Sequence, residues 1–205
     1  ARMILDGHNG VIIVWQDNRT GMNEVYAQRI NSSGHLLWDS SGVNLTDVSS
    51  LQEEPQIVNT IDDHFIVIWE DNRTGSKDIY GQKLDLLGNK KWGLNGTSIC
   101  NVTGDQTLYQ NRQSIISTSF NEVVITWKDK RSDVNGDIYV QLLNESGDYQ
   151  WRNNGMVICN VSDYQGGPII EKINQETFIV TWLDRRNNSI RNTDIYVQKI
   201  NRSGH

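Results

Sequence analysis

The run Phe65-Ile66-Val67-Ile68-Trp69-Glu70-Asp71-Asn72-Arg73-Thr74-Gly75, followed by Asp78-Ile79-Tyr80-Gly81-Gln82, decides how the chain folds. Its unbroken apolar start implies a strand buried on both faces. The polar turn after it lies between two β-rich runs and so marks a hairpin. The anchor W-x-D-x-R recurs as Trp15-Asp17-Arg19, Trp69-Asp71-Arg73, Trp127-Asp129-Arg131 and Trp182-Asp184-Arg186, with the tryptophans 54, 58 and 55 residues apart. Each anchor leads into an acidic-apolar-Tyr-x-Gln string: Glu24 to Gln28, Asp78 to Gln82, Asp137 to Gln141 and Asp194 to Gln198. Three units add G-x-x-x-W, from Gly34 to Trp38, Gly88 to Trp92 and Gly147 to Trp151, and then a further glycine, Gly42, Gly96 or Gly155.

A repeat of this length with no 3.6-residue periodicity predicts an all-β fold of four-stranded antiparallel units. The expectation is a β-propeller of about four blades, near 1–54, 55–111, 112–166 and 167–205, the last incomplete. The alternative is a β-solenoid of stacked hairpins, which usually repeats at shorter length and lacks a doubly buried strand. Phe65 to Trp69 is expected to be an inner strand, with Gln56-Ile57-Val58 leading into it and Trp92 with Ile99 to Val102 forming the outer one. An open ring leaves edge strands ready to pair, so completion is expected from another copy, from the rest of a longer chain or from a donated strand.

Composition narrows the function. The chain has 205 residues, 19 Lys and Arg against 25 Asp and Glu, and a net charge of −6, the wrong sign for neutralising phosphates. Nucleic acid is not an expected partner. A mean hydropathy of −0.55 accompanies a sequence with no apolar run long enough to span a bilayer.

The D-x-R and D-I-Y string, complete in Asp71-Asn72-Arg73 with Asp78-Ile79-Tyr80, resembles the WD40-like propeller repeats of the Tol-B type, found in large secreted repeat proteins of bacteria and archaea. The resemblance covers all four units and implies a propeller. The G-x-x-x-W segment differs from the Asp-box of sialidase-like propellers in its Gly-to-Trp spacing, and Asn31-Ser32-Ser33-Gly34 lacks the aspartate.

A catalytic group is needed once, whereas Trp15, Asp17, Arg19 and their counterparts recur in every unit. Recurrence assigns them to the scaffold: tryptophan wedges between blades, and each arginine paired across its hairpin, Arg73 with Asp78 for instance. Departures from the repeat are the better functional candidates. Asp133-Val134-Asn135-Gly136-Asp137 gathers oxygen donors near a glycine, a faint calcium-loop pattern without the terminal glutamate of an EF-hand. Arg185, Arg186 and Arg191, and Lys128, Lys130 and Arg131, concentrate positive charge in two loops, where they could grip an acidic glycan. Tyr109, Gln110, Asn111 and Arg112 lie in the longest inter-strand stretch and are placed on one face of the ring. His8, His35, His64 and His205 share no phase, and no hydrolase, nucleotide-binding or zinc motif is present.

Asn-x-Ser/Thr occurs at Asn18, Asn31, Asn44, Asn72, Asn95, Asn101, Asn144, Asn160, Asn187 and Asn201. Chance gives about three such sites, though repeat copying inflates the number. Most fall in predicted turns, so the chain is expected to be extracellular, at the cell surface or secreted, and N-glycosylated. Cys100 and Cys159 share one phase of the repeat, where the first unit has Thr46, and are expected to be free and buried. The resulting expectation is a non-catalytic glycoprotein module, structural or adhesive, in a surface layer, filament or larger propeller, without cofactors beyond glycans. The alternative is a lectin-like or sialidase-type propeller that binds or cleaves glycans.

Overall fold

The structure is a computed structural model and describes residues 1–109, 111–186 and 193–205. Four antiparallel sheets follow one another along the chain. The first holds β1 (Arg2–Leu5), β2 (Val11–Asp17), β3 (Glu24–Ile30) and β4 (Val43–Asn44). The second holds β5 (Gln52–Asn59), β6 (Phe65–Asp71), β7 (Asp78–Leu84) and β8 (Thr97–Cys100). In the third, the first strand is broken into β9 (Gln106–Thr107) and β10 (Ile115–Ser117), which both pair with β11 (Val123–Asp129), followed by β12 (Asp137–Leu143) and β13 (Met156–Cys159). The fourth comprises β14 (Gln165–Asn174), β15 (Thr177–Asp184) and β16 (Asp194–Asn201). No helix long and apolar enough to cross a membrane occurs among the described residues.

Phe65–Asp71 is an interior strand of its sheet, flanked on both edges. The sheet order is β5-β6-β7-β8, and successive sheets meet chiefly through β5, which approaches β1, β2, β3 and β10, and β14, which approaches β10, β11 and β12. The run Phe65–Asp71 is wholly buried because β5 and β7 cover its edges and the neighbouring sheets cover its faces. Trp92, however, lies in the loop before β8 rather than in the outer strand.

Hydrophobic burial is organised between sheets. Ile12, Val14, Val25, Ala27, Trp38 and Leu45 meet Phe65, Val67 and Trp69 in one core. Ile66, Ile68, Ile79 and Ile99 meet Val123, Ile125 and Trp127 in the next, and Val124, Ile138 and Val140 meet Phe178, Val180 and Trp182 in the third. Alternate residues of a strand face opposite sides, so each doubly apolar second strand serves two cores.

Alternation also explains W-x-D. Residues two apart share a face, and each indole N–H donates to the aspartate: Trp15 to Asp17 at 2.9 Å, Trp69 to Asp71 at 2.9 Å, Trp127 to Asp129 at 2.8 Å and Trp182 to Asp184 at 2.9 Å. The expected pairing of Arg73 with Asp78 is corrected. Arg73 donates to Asp71 at 2.6 Å and lies 3.8 Å over the Tyr80 ring, while Asp78 accepts from the Thr74 hydroxyl at 2.5 Å. A two-residue spacing lets the guanidinium close back on its own turn, and the tyrosine face satisfies its other side. Nor is this an exposed pair, since Asp71, Asp129 and Asp184 are fully buried.

The G-x-x-x-W tryptophans join consecutive sheets. Trp38 donates to the Leu86 carbonyl, Trp92 to Glu145 and Trp151 to Arg202, each at 3.0 Å. Their rings lie against Gly88, Gly147 and Gly204 of the next unit. Thr46, Cys100 and Cys159 form a second set of links, reaching Arg73, Arg131 and Arg186 of the following sheet. Both cysteines are free and buried, and burial, reinforced by Asp129, pushes the Cys100 thiol up to about 12. A thiolate is the reactive form, so both cysteines are expected to resist iodoacetamide at pH 8 in the folded protein and to react in urea. Stoichiometric alkylation without denaturant, seen by intact mass, would contradict this packing.

Candidate functional site

The first strands of the second, third and fourth sheets share a defect at one level. On β5 the register steps from Glu53 opposite Glu70 to Gln56 opposite Ile68, inserting one residue. On β14 it steps from Gly166 opposite Leu183 to Ile169 opposite Thr181, inserting one residue at the corresponding place. In the third sheet the same place widens into the segment between Thr107 and Ile115, which carries Tyr109, Asn111 and Arg112. Bulges bend a strand and re-aim its side chains, which suits the rim of a site.

Glu54 stands at the bulge of β5 with φ 53°, and Gly167 stands at the bulge of β14 with φ 60°. The local sequences are Glu53-Glu54-Pro55 and Gly166-Gly167-Pro168, so a glutamate occupies a left-handed position where the other sheet uses glycine. That conformation costs a residue with a Cβ about 1–2 kcal/mol. The carboxylate makes no hydrogen bond among the described residues, and burial, reinforced by Glu53, raises its pKa. The neighbouring carboxylates are occupied: Lys77 Nζ reaches Glu53 at 3.0 Å and Glu70 at 2.7 Å, and Glu70 also accepts from the Leu108 amide at 2.7 Å.

Glu54 opens on a pocket of about 190 Å³ shared with Arg2, Gln16, Pro55 and Asn111. Arg2 and Asn111 also line an adjoining cavity of about 390 Å³ between β1, β5 and β10, with Ile57, Asn59 and Arg112. The pocket at Glu54 is polar, and the adjoining cavity adds the apolar side chains of Met3, Ile4, Ile57 and Ile115, so polar groups converge beside an apolar wall, as in many small-ligand sites.

Beside this cleft, Tyr109 and Tyr164 place their hydroxyls 3.3 Å apart. Lys128 Nζ lies 4.4 Å and the Arg185 guanidinium 4.9 Å from the Tyr164 ring centre. The structure thus brings together Tyr109, Asn111, Arg112, Lys128 and Arg185 from the sequence-level candidates. Arg131 and Arg186 belong instead to the D-x-R scaffold, and Lys130 lies 3.7 Å from Asp105. Gln110, Arg191 and Asn187 fall outside the described residues. Asp133 spends its carboxylate on the Asn135 and Gly136 amides, closing a turn. Glu54 and Arg2 lie in strands and so do not stand out among the loop departures from the repeat. The available signal was Glu-Glu-Pro in one unit against Gly-Gly-Pro in another.

Among the sequons, Asn18, Asn72, Asn95, Asn101 and Asn160 are exposed. Asn31, Asn144 and Asn201 each use the side-chain oxygen to accept two backbone N–H groups of their own turn.

No family model matches the chain, and no curated protein is similar to it. Among solved structures it is similar to the endo-arabinase of Bacteroides thetaiotaomicron, with a TM-score of 0.52 and 12% identity over 94% of this chain and 71% of that one. It is also similar to a protein of unknown function from Dyadobacter fermentans, with a TM-score of 0.60 and 10% identity over 93% of this chain and 49% of that one. The all-β architecture of open antiparallel sheets is therefore of propeller type. The expectation that the chain is not an enzyme is corrected by this likeness: an endo-arabinase is built on the same fold, where the lack of a linear catalytic motif excludes nothing.

Proposed function

We propose that this chain is the glycan-handling part of an extracellular propeller of the glycoside-hydrolase kind, with Glu54 as the carboxyl group that meets the sugar. The observation that carries this reading is Glu54 itself: a strained, unpartnered, half-buried carboxylate opening on a cleft between the first strands of neighbouring sheets. Strain of this sort persists where the surroundings impose it, and it clusters at working sites. A carboxyl whose pKa is raised by burial keeps its proton closer to neutrality, as an acid that protonates a leaving oxygen must. Glycoside hydrolysis uses two carboxyls, and Glu53, adjacent in sequence and paired with Lys77, is the nearest second carboxylate to Glu54. The endo-arabinase likeness and the exposed sequons support the same reading.

The test is Glu54→Gly. Glycine suits φ 53°, so stability is expected to stay level or rise by up to about 1 kcal/mol. Release of reducing ends from a panel of soluble polysaccharides is expected to fall about a hundredfold. A wild-type protein that neither cleaves nor binds any polysaccharide would overturn the reading, as would a glycine variant of undiminished activity.

A further inference from the structure

The cleft is electrically divided: Glu54 of the second sheet lines it together with Arg2 of the first and Arg112 of the third, and Lys128 and Arg185 continue the positive side beyond its lining, over the Tyr164 ring. The scaffold arginines each have a carboxylate: Arg19 with Asp17, Arg29 with Asp6, Arg73 with Asp71, Arg131 with Asp129, Arg186 with Asp184 and Arg202 with Glu122. Arg112 and Lys128 form no ion pair among the described residues, although Lys128 is only 7% exposed. Burial, with Lys130 and Arg185 beside it, lowers the Lys128 pKa against the weaker pull of Asp133. A buried cation with no carboxylate in contact is costly, which points to a counter-charge supplied from outside.

The basic groups form one strip. Arg112 packs against Gly167, the Tyr109 and Tyr164 hydroxyls flank Gly166, and Lys128 and Arg185 lie over the Tyr164 ring. A side chain at 166 would strike both hydroxyls, and one at 167 would press on the guanidinium, so the two glycines keep the strip open. Guanidinium and ammonium groups beside paired phenol hydroxyls suit a carboxylate carried on a sugar ring.

We propose that this strip binds the carboxylate of an acidic polysaccharide, a chain of hexuronate sugars, and holds it against Glu54. The proposal rests on the reading of the cleft as a glycan site. The overall charge of −6 disfavours unspecific attraction to polyanions, so any such binding must be local.

The experiment is affinity electrophoresis of the protein through gels containing polygalacturonate or its fully methyl-esterified form, which has the same sugar ring without the charge. Retardation by polygalacturonate is expected, weakening with salt, with little by the ester. Lys128→Met and Arg112→Gln are each expected to weaken it at least tenfold. Lys128→Met removes an unpaired buried charge and should fold, as thermal melting will verify; Arg112→Gln changes a group at the cleft wall and serves as the second probe. Equal retardation by both polymers, or binding unmoved in both variants, overturns the strip while leaving the glycan cleft standing. Loss of binding to every polysaccharide overturns both. Polygalacturonate binding by wild type that is lost in both variants, combined with undiminished cleavage in Glu54→Gly, supports the strip as a carboxylate site and overturns the assignment of Glu54.

Discussion

Asp71→Ala is expected to cost about 3–5 kcal/mol of stability, the range for removing one partner from a buried charge pair. Asp71 is fully buried. One carboxylate oxygen accepts from the Trp69 indole at 2.9 Å and Arg73 at 2.6 Å, and the other from the Arg73 amide at 3.0 Å and the Ser50 hydroxyl at 2.8 Å. Alanine would leave the indole, the Arg73 amide and the Ser50 hydroxyl without this acceptor and the Arg73 guanidinium without its counter-charge, in the junction between the first two sheets. Asp17 makes the same indole and guanidinium contacts, but it is only partly buried and Arg19 is exposed. Asp17→Ala should therefore cost much less. Urea unfolding of both variants at equal m-value decides this, and equal losses would mean that the junction adds nothing to the motif. The pH dependence has a definite sign. Burial raises the Asp71 pKa, but hydrogen bonds from Arg73, Trp69 and Ser50 outweigh it and hold the carboxyl below its ordinary value. Its stabilisation is thus present above about pH 4 and drains away as pH falls through the lower folded value. Asp71→Ala should flatten that acid limb.

The repeat was legible because its punctuation is physical. Glycines, W-x-D spacing and apolar runs each answer to one local requirement, and all of them recur. Strand position was legible too: a run such as Phe65 to Trp69 records burial on two faces, which a strand in the middle of a sheet acquires from the neighbouring sheets. The outer strand was less legible, because Trp92 is buried from a loop before β8 and not from the strand itself. The partner of Arg73 was misread because hairpin chemistry offers two carboxylates, Asp71 and Asp78, at nearly equal reach, and only the tyrosine face decides between them. The cleft was half legible. Looking away from the recurring residues led to Tyr109, Arg112 and Lys128, but Glu54 sits in a strand, where a departure from the pattern shows up as backbone conformation rather than as an unusual loop.

Gly155→Ala is expected to destabilise the protein by about 2–5 kcal/mol, from two sources that can be separated. Gly155 has φ 92°, which costs an alanine about 1–2 kcal/mol by itself. The added Cβ would also lie 2.4 Å from Trp127 Cη2 and 2.6 Å from Cζ2, and overpacking typically costs about 1–3 kcal/mol. Trp127 has little room to yield, because it is fully buried, its indole is held by Asp129 and its ring is stacked on Tyr139. Gly93 provides the control: φ is 75°, yet nothing lies within 4 Å of its Cβ position, so Gly93→Ala should show the backbone cost alone. The same close approach recurs at Gly42 with Trp15 and Gly96 with Trp69, so the further glycine of each unit is there to admit the anchor tryptophan beneath the outer strand. If that is its purpose, Trp127→Phe should partly rescue Gly155→Ala, since the smaller ring vacates the contested space. A double-mutant cycle with no coupling between the two sites, or equal losses for Gly93→Ala and Gly155→Ala, would separate the glycine from the tryptophan and leave the pattern without a steric cause.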